Sequence, residues 1–181
     1  MGIKSNIRDI QRKNLILILW KGNEMTEKVA IQETYGEKYQ HCWGCGVQNK
    51  EGLHLKSYPT EDGKEVICKV KPDKMYTGGV PFNLFGGMIA MLFDCHGTAS
   101  AAYFNHHAQG LELTKDTIIQ RYITARLEVD FKKPTPMDEE ITIRSSLAEL
   151  GERKAIIEMT LEAKGEIRAK AKMVAVKIKD Q

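Results

Sequence analysis

Residues 84–104, LFGGMIAMLFDCHGTASAAYF, are apolar or small on almost every face, and Asp94 carries the only formal charge among them. A helix that is apolar all round has no side to give to water and must be wrapped by something. At about 20 residues such a stretch is also long enough for a bilayer. Gly86, Gly87 and Gly97 interrupt it, however, and the rest of the chain is charge-balanced and strand-patterned. The wrapping is therefore expected to be protein. Within it, an ionised carboxylate costs several kcal/mol or more unless it is paired or hydrogen-bonded. Asp94 is either satisfied quietly, by backbone or by Thr98 one turn on, or kept because the protein needs a carboxylate there.

The wrapping is legible downstream. ARLEVDF (125–131) alternates Leu127, Val129 and Phe131 against Arg126, Glu128 and Asp130, which is strand period. KKPTP ends it, because proline cannot continue a ladder. Three further strand patterns follow at 139–150, 154–163 and 166–178, with turns near Gly151 and Gly165. Short connections between consecutive strands predict an antiparallel meander. Upstream, KEVICKVK (64–71) alternates Val66, Cys68 and Val70 on one face, Leu53 and Leu55 open another strand, and HCWGCGVQNKEGLHLK (41–56) reads as loop. YTGGVPFN (76–83) is full of breakers and ends in Asn83, a favourable helix N-cap. One buried helix with a curved antiparallel sheet around it makes the class α+β.

The net charge of +3 is unevenly placed: residues 1–24 hold five basic and two acidic side chains, leaving 22 against 22 in the remainder. A neutral body with a slightly basic tail lacks the footprint of a nucleic-acid binder. The apolar run Leu15–Trp20 is too short for a secretory core or a membrane span. Asn6 stands where a myristoylation signal needs Ser or Thr. The expected location is cytoplasmic, without membrane or nucleic-acid partners. The composition break also makes Met25 a candidate natural start.

Three stretches resemble the hotdog-fold acyl-CoA thioesterases, in particular the phenylacetic-acid-degradation-type branch. CWGCGVQNKEGLHL is similar to a cysteine-, glycine- and asparagine-containing loop of that family. FNLFGGMIAMLFDCHGTASAA is similar to its central helix, with a Gly-Gly pair and an acid eight positions after the first glycine. TARLEVDFKKPTP is similar to the strand that follows. The resemblance covers about residues 38–178. It implies a hotdog domain over 38–181, preceded by an extension, 1–37, that is partly helical or disordered. It also implies an acyl-CoA thioesterase without a cofactor of its own, coenzyme A being part of the substrate. Two departures stand out. Phe85 occupies the place where many members have histidine, so that residue's part falls to nothing or to Asn83. Residues 105–121 form an insertion able to shape the pocket.

Thioester hydrolysis needs a polarised carbonyl and a base or nucleophile. Amides in the first turn of a helix lack intrahelical partners and carry the positive end of the dipole. Gly86 and Gly87 would form an oxyanion site there, worth roughly 3–4 kcal/mol; alternatively, they only make room for close packing. Asp94 would be the general base or nucleophile. Eight residues of helix separate it from Gly86, ~12 Å along the axis. Groups acting on one thioester must lie within about 3–3.5 Å of its atoms. One helix is thus not expected to serve one substrate with both groups, and two antiparallel helices of a homodimer would. The resemblance implies the same dimer, with a tetramer as dimer of dimers also open. By resemblance Thr124 helps place the attacking water, though threonine is ordinary at a strand start. Lys132 and Lys133 are candidates for the phosphates of coenzyme A, or else simply solvated.

Four cysteines in a cytosolic-looking chain argue against a disulfide framework. Cys42 and Cys45 form a CxxC, with His41 and His54 nearby, but no second ligand pair stands at zinc spacing. The expectation is no metal. Cys68 reads as strand core, His106 and His107 as surface. Cys95 and His96 are adjacent on a helix and point apart, which excludes them as a nucleophile pair. Two other functions share the scaffold: an acyl-thioester dehydratase or hydratase, for which His96 is poorly placed, and a non-catalytic acyl-CoA-binding protein, suggested by Phe85.

Overall fold

The apolar stretch folds into one helix, α1 (Gly86–His107), in a computed structural model that describes residues 19–21, 24–26 and 28–179. The strands are β1 (Leu19–Lys21), β2 (Glu24–Thr26), β3 (Ser57–Pro59), β4 (Glu65–Val70), β5 (Tyr122–Phe131), β6 (Ile141–Leu150), β7 (Lys154–Ala163) and β8 (Glu166–Lys177). Among the described residues β1 and β2 pair with each other. The other six form one antiparallel sheet in the order β3-β4-β6-β7-β8-β5.

The period-2 pattern decides which face the sheet turns to the helix. Val66, Cys68, Ile141, Ile143, Ile157, Leu161 and Met173 are fully buried. On β8 the inward positions Ala169, Ala171 and Ala175 are small, so α1 can lie close. Gly97 marks the tightest approach: a Cβ there would stand 2.7 Å from the side chain of Met173. The α+β expectation holds, with β4 and β6–β8 close to their predicted bounds.

Three expectations are corrected. The meander holds for β6-β7-β8, but β5 pairs with β8 rather than with β6. The reason lies in KKPTP, which does not turn back. The Lys132 and Lys133 amides continue alongside β8 by donating to the Arg168 carbonyl. Residues 135–137 then run against the loop before α1: Leu84 N–H donates to Thr135 O (2.8 Å) and Met137 N–H to Phe82 O (3.0 Å). The chain is thereby carried across to the middle of the sheet. Second, Asn83 is not the N-cap. The helix begins at Gly86 with Phe85 in the cap position and no capping side chain, while Asn83 forms a backbone bridge with Pro136. Third, Leu53 and Leu55 precede β3 instead of opening it.

Residues 1–18, within the expected extension, lie outside the described residues. Its later part packs inward, with Ile31 and Tyr35 buried in the core. Of the 105–121 segment, residues 105–107 complete α1. The rest forms a loop tied back by Ile119 N–H donating to Thr34 O (3.0 Å). His106 sits at the helix end, its Nε2 3.0 Å from Glu112 O, and the exposed His107 ring stacks on Tyr103.

Candidate active site

Asp94 is half-buried on the side of α1 that faces β5, the edge strand. Thr124 Oγ1 donates to its Oδ1 at 2.5 Å. The backbone explains why that hydroxyl reaches in. The β5–β8 register slips immediately after Thr124, between its pairing with Ala175 and that of Arg126 with Val174. Such a bulge re-aims the side chain beside it. The bland alternative for Asp94 is not what is seen: Thr98 Oγ1 bonds the backbone carbonyls of Asp94 (3.1 Å) and Cys95 (3.3 Å), leaving the carboxylate to Thr124.

At the other end of the same helix face, the Phe85 carbonyl accepts from Met88 and Ile89. The amides of Gly86 and Gly87 have no acceptor among the described residues. Aromatic rings frame them. A Cβ on Gly87 would lie 2.5 Å from the Phe85 ring, and one on Gly86 would lie 3.4 Å from Phe131. A side chain at 87 would force the Phe85 ring to move. Phe82, Phe85 and Phe131 are 76%, 42% and 56% exposed, an apolar patch around the helix start. Phe82 also holds a left-handed backbone at φ 66°, a cost of about 1–3 kcal/mol for such a residue. Sequence reasoning passed over both Phe82 and the outward turn of Phe131; a left-handed aromatic leaves no signature in composition.

Lys132 and Lys133 directly follow Phe131, at this same end. Their ammonium groups lie 3.1 Å from Asp130 and 2.9 Å from Glu166. Exposed pairs of this kind contribute about 0–1 kcal/mol, so either lysine is easily drawn to another anion. Within one chain, then, Asp94 and Thr124 come together, Gly86, Gly87, Phe131 and the lysines cluster at the helix start, and Asn83 stands just before it. The two groups are separated by two turns of helix. A surface depression on the sheet, among Glu128, Arg144, Glu158, Lys170 and Lys172, holds none of these residues.

On another side of α1, His96 is fully buried with Nδ1 2.9 Å from Ser57 Oγ. Gln32 braces Ser57 twice, Nε2 donating to its Oγ (2.9 Å) and Oε1 accepting from its N–H (2.8 Å). Burial pulls the imidazole down to about 3, so it is neutral. Cys95 points elsewhere, its Sγ 3.8 Å from that of Cys42, in agreement with the exclusion of a Cys95–His96 pair. Cys42, Cys45 and Cys95 hold their sulfurs within 4.8 Å of one another, a convergence that CxxC spacing alone did not reveal. Hydrogen bonds from the Cys45 and Cys95 thiols push the Cys42 thiol far down, while Cys45 itself is raised to about 11.

A long helix packed on a six-stranded antiparallel sheet, with an acid at mid-helix and free amides at its start, defines a hotdog protein. The family model for the thioesterase superfamily matches residues 83–170, from the loop before α1 into β8. A thioesterase superfamily protein from Shewanella loihica PV-4 is 34% identical, the alignment covering 79% of this chain and 98% of that one with a TM-score of 0.58. The chain belongs to the thioesterase superfamily. The PaaI protein of the E. coli phenylacetic acid degradation operon is 10% identical over 64% of this chain and 73% of its own, with a TM-score of 0.52. Thioesterase superfamily member 2 from Mus musculus is 19% identical over 68% and 83%, also at 0.52. These two share the fold. Comparison with curated proteins gives no match. Among the described residues no helix is long and apolar enough to cross a membrane.

Proposed function

We propose that this protein is an acyl-CoA thioesterase, converting an acyl-CoA and water to a carboxylic acid and free coenzyme A. The observation that carries the reading is the Thr124–Asp94 hydrogen bond (2.5 Å) in the middle of an otherwise apolar helix. A hydroxyl donating to one carboxylate oxygen fixes the group and leaves the other oxygen to a water or a carbonyl carbon. Asp94 acts as general base or nucleophile, and the Gly86 and Gly87 amides take up the charge that develops on the thioester oxygen. Atoms balance simply: water adds across the C–S bond, its hydroxyl to the acyl carbon and its proton to the departing thiolate.

The ~12 Å between the two groups makes the site a joint one, Asp94 of one chain working opposite Gly86 and Gly87 of a second. Two features support such a homodimer, alone or as half of a tetramer. Among the described residues β5 is an edge strand, and the exposed rings of Phe82, Phe85 and Phe131 surround the helix start. Lys132 and Lys133, next to that start, suit the phosphates of coenzyme A. Neutral, fully enclosed His96 does not suit the acid–base work of a dehydratase.

The test is thiol release from a panel of acyl-CoA esters by wild type and Asp94→Asn. Wild-type turnover that falls ~10³-fold in the near-isosteric variant supports the reading, a general base being worth ~10²–10⁴-fold. Turnover that survives the substitution overturns the assignment of Asp94. Binding without turnover by wild type points to the second reading, a non-catalytic acyl-CoA-binding protein, which the Phe85 ring lying over Gly87 favours.

A further inference from the structure

The loop 42–46 and α1 meet at three sulfurs that the thioester chemistry does not use. Cys42 and Cys95, 53 positions apart in sequence, place their Sγ atoms 3.8 Å apart, and Cys45 completes a triangle with every edge within 4.8 Å. Two ligands of one tetrahedral zinc, each at about 2.3 Å, stand about 3.8 Å apart. We propose that Cys42, Cys45 and Cys95 form a zinc site that fastens the loop to α1.

Further observations fit an ion held by thiolates. Gly44 is compelled by the cluster: a Cβ there would lie 2.5 Å from Cys95 Sγ and 2.7 Å from Met91 Sδ. Met91 Sδ, 4.0 Å from Cys95 Sγ, adds a soft atom on the buried side, and Cys42, at the surface, leaves the fourth corner to water. Three thiolates and one zinc carry a net charge of −1, and the Arg121 guanidinium offsets it. Arg121 stacks 4.3 Å over the Tyr35 ring and has a buried Nη1 without a hydrogen-bond partner. Tyr35 is 3% exposed and its hydroxyl is likewise unpartnered. Binding releases the thiol protons to solvent with no change of redox state.

The experiment measures metal on the full chain and is independent of any hydrolysis. Protein produced with zinc in the medium and purified under reducing conditions without chelator is assayed for metal, and reduced apoprotein is titrated with Co²⁺. The expected result is about one zinc per chain and a sulfur-to-cobalt charge-transfer band. Cys42→Ser, a surface change that spares the packing, should lower zinc affinity at least ~100-fold, since outer-shell changes alone cost ~10–100-fold. Cys68→Ala, a buried cysteine outside the cluster, should leave the affinity unchanged. Zinc should raise the melting temperature of wild type and not that of Cys42→Ser. Failure of the reduced wild type to bind zinc or Co²⁺ overturns the site. So does equal affinity in Cys42→Ser, or a freshly isolated protein already oxidised across Cys42 and Cys45.

Discussion

Asp94 and His96 lie two positions apart on α1, which turns them to opposite sides of the helix. The His96 ring is fully buried, with Nδ1 against Ser57 and Nε2 without a partner among the described residues. Ser57 and Gln32 bond to it or to each other, and close by Ser100 links the His96 carbonyl (2.7 Å) to Ser145 (2.7 Å). Around Asp94 there is one hydroxyl, from an edge strand, and partial exposure. The first region spends polar atoms on locking the helix to the sheet. The second keeps a charged group in an apolar setting with one oxygen uncommitted. The function proposed above gives that carboxylate a use, as general base or nucleophile.

The comparison is broken most directly by exchanging the readouts. Asp94→Asn should cost ~10³-fold in turnover, about 4 kcal/mol of transition-state stabilisation. It should leave the denaturant midpoint within about 1 kcal/mol of wild type, because the amide retains an oxygen for Thr124. His96→Ala should do the reverse. A cavity and a disrupted network cost about 3 kcal/mol of stability, with turnover per folded molecule unchanged. Both are read by thiol release and urea unfolding on the same samples. A His96→Ala enzyme that folds well but hydrolyses nothing would erase the distinction.

How far this contrast was visible in the sequence depends on the range of the interactions. α1 and strands β4 and β6–β8 were legible because period and breakers are local. The position of β5 was not. It depends on residues 135–137 docking on 82–84, a contact across some fifty residues that no propensity encodes. Asn83 misled for the opposite reason: its capping preference is real, but its backbone is held by Pro136. Asp94 stood out as a lone charge and Thr124 entered through resemblance, as a residue that places water, whereas the bond between the two is made beside a bulge that periodicity does not reveal. Cys42 and Cys45 showed two corners of a triangle whose third, Cys95, lay hidden in a helix that read as core.

Acid sharpens the contrast further. Folded His96 is held down at about 3 by burial, against 6.5 when exposed. As pH falls below 6.5, the unfolded chain takes up a proton that the folded chain refuses, so stability is lost over the window from 6.5 down to about 3. By about pH 5 the loss amounts to about 2 kcal/mol. Urea midpoints measured from neutral pH downward should follow that slope, and His96→Gln, which cannot titrate, should flatten it. An unaltered slope in the variant would mean that His96 is not the group responsible.

The smallest expected effect tests the other side. Thr124→Val keeps the shape and β-propensity of the residue and removes one hydrogen bond to a charged group, worth about 1.5–3 kcal/mol. Part of that is recovered by water, because Asp94 is only half-buried, so turnover should fall ~10-fold with little change in stability. A fall in kcat with KM unchanged marks a hydroxyl that orients Asp94 for the chemical step rather than one that holds substrate. A Thr124→Val enzyme with wild-type kcat would leave Asp94 without the partner that singles it out from His96, and the contrast between the two sides of α1 would rest on exposure alone.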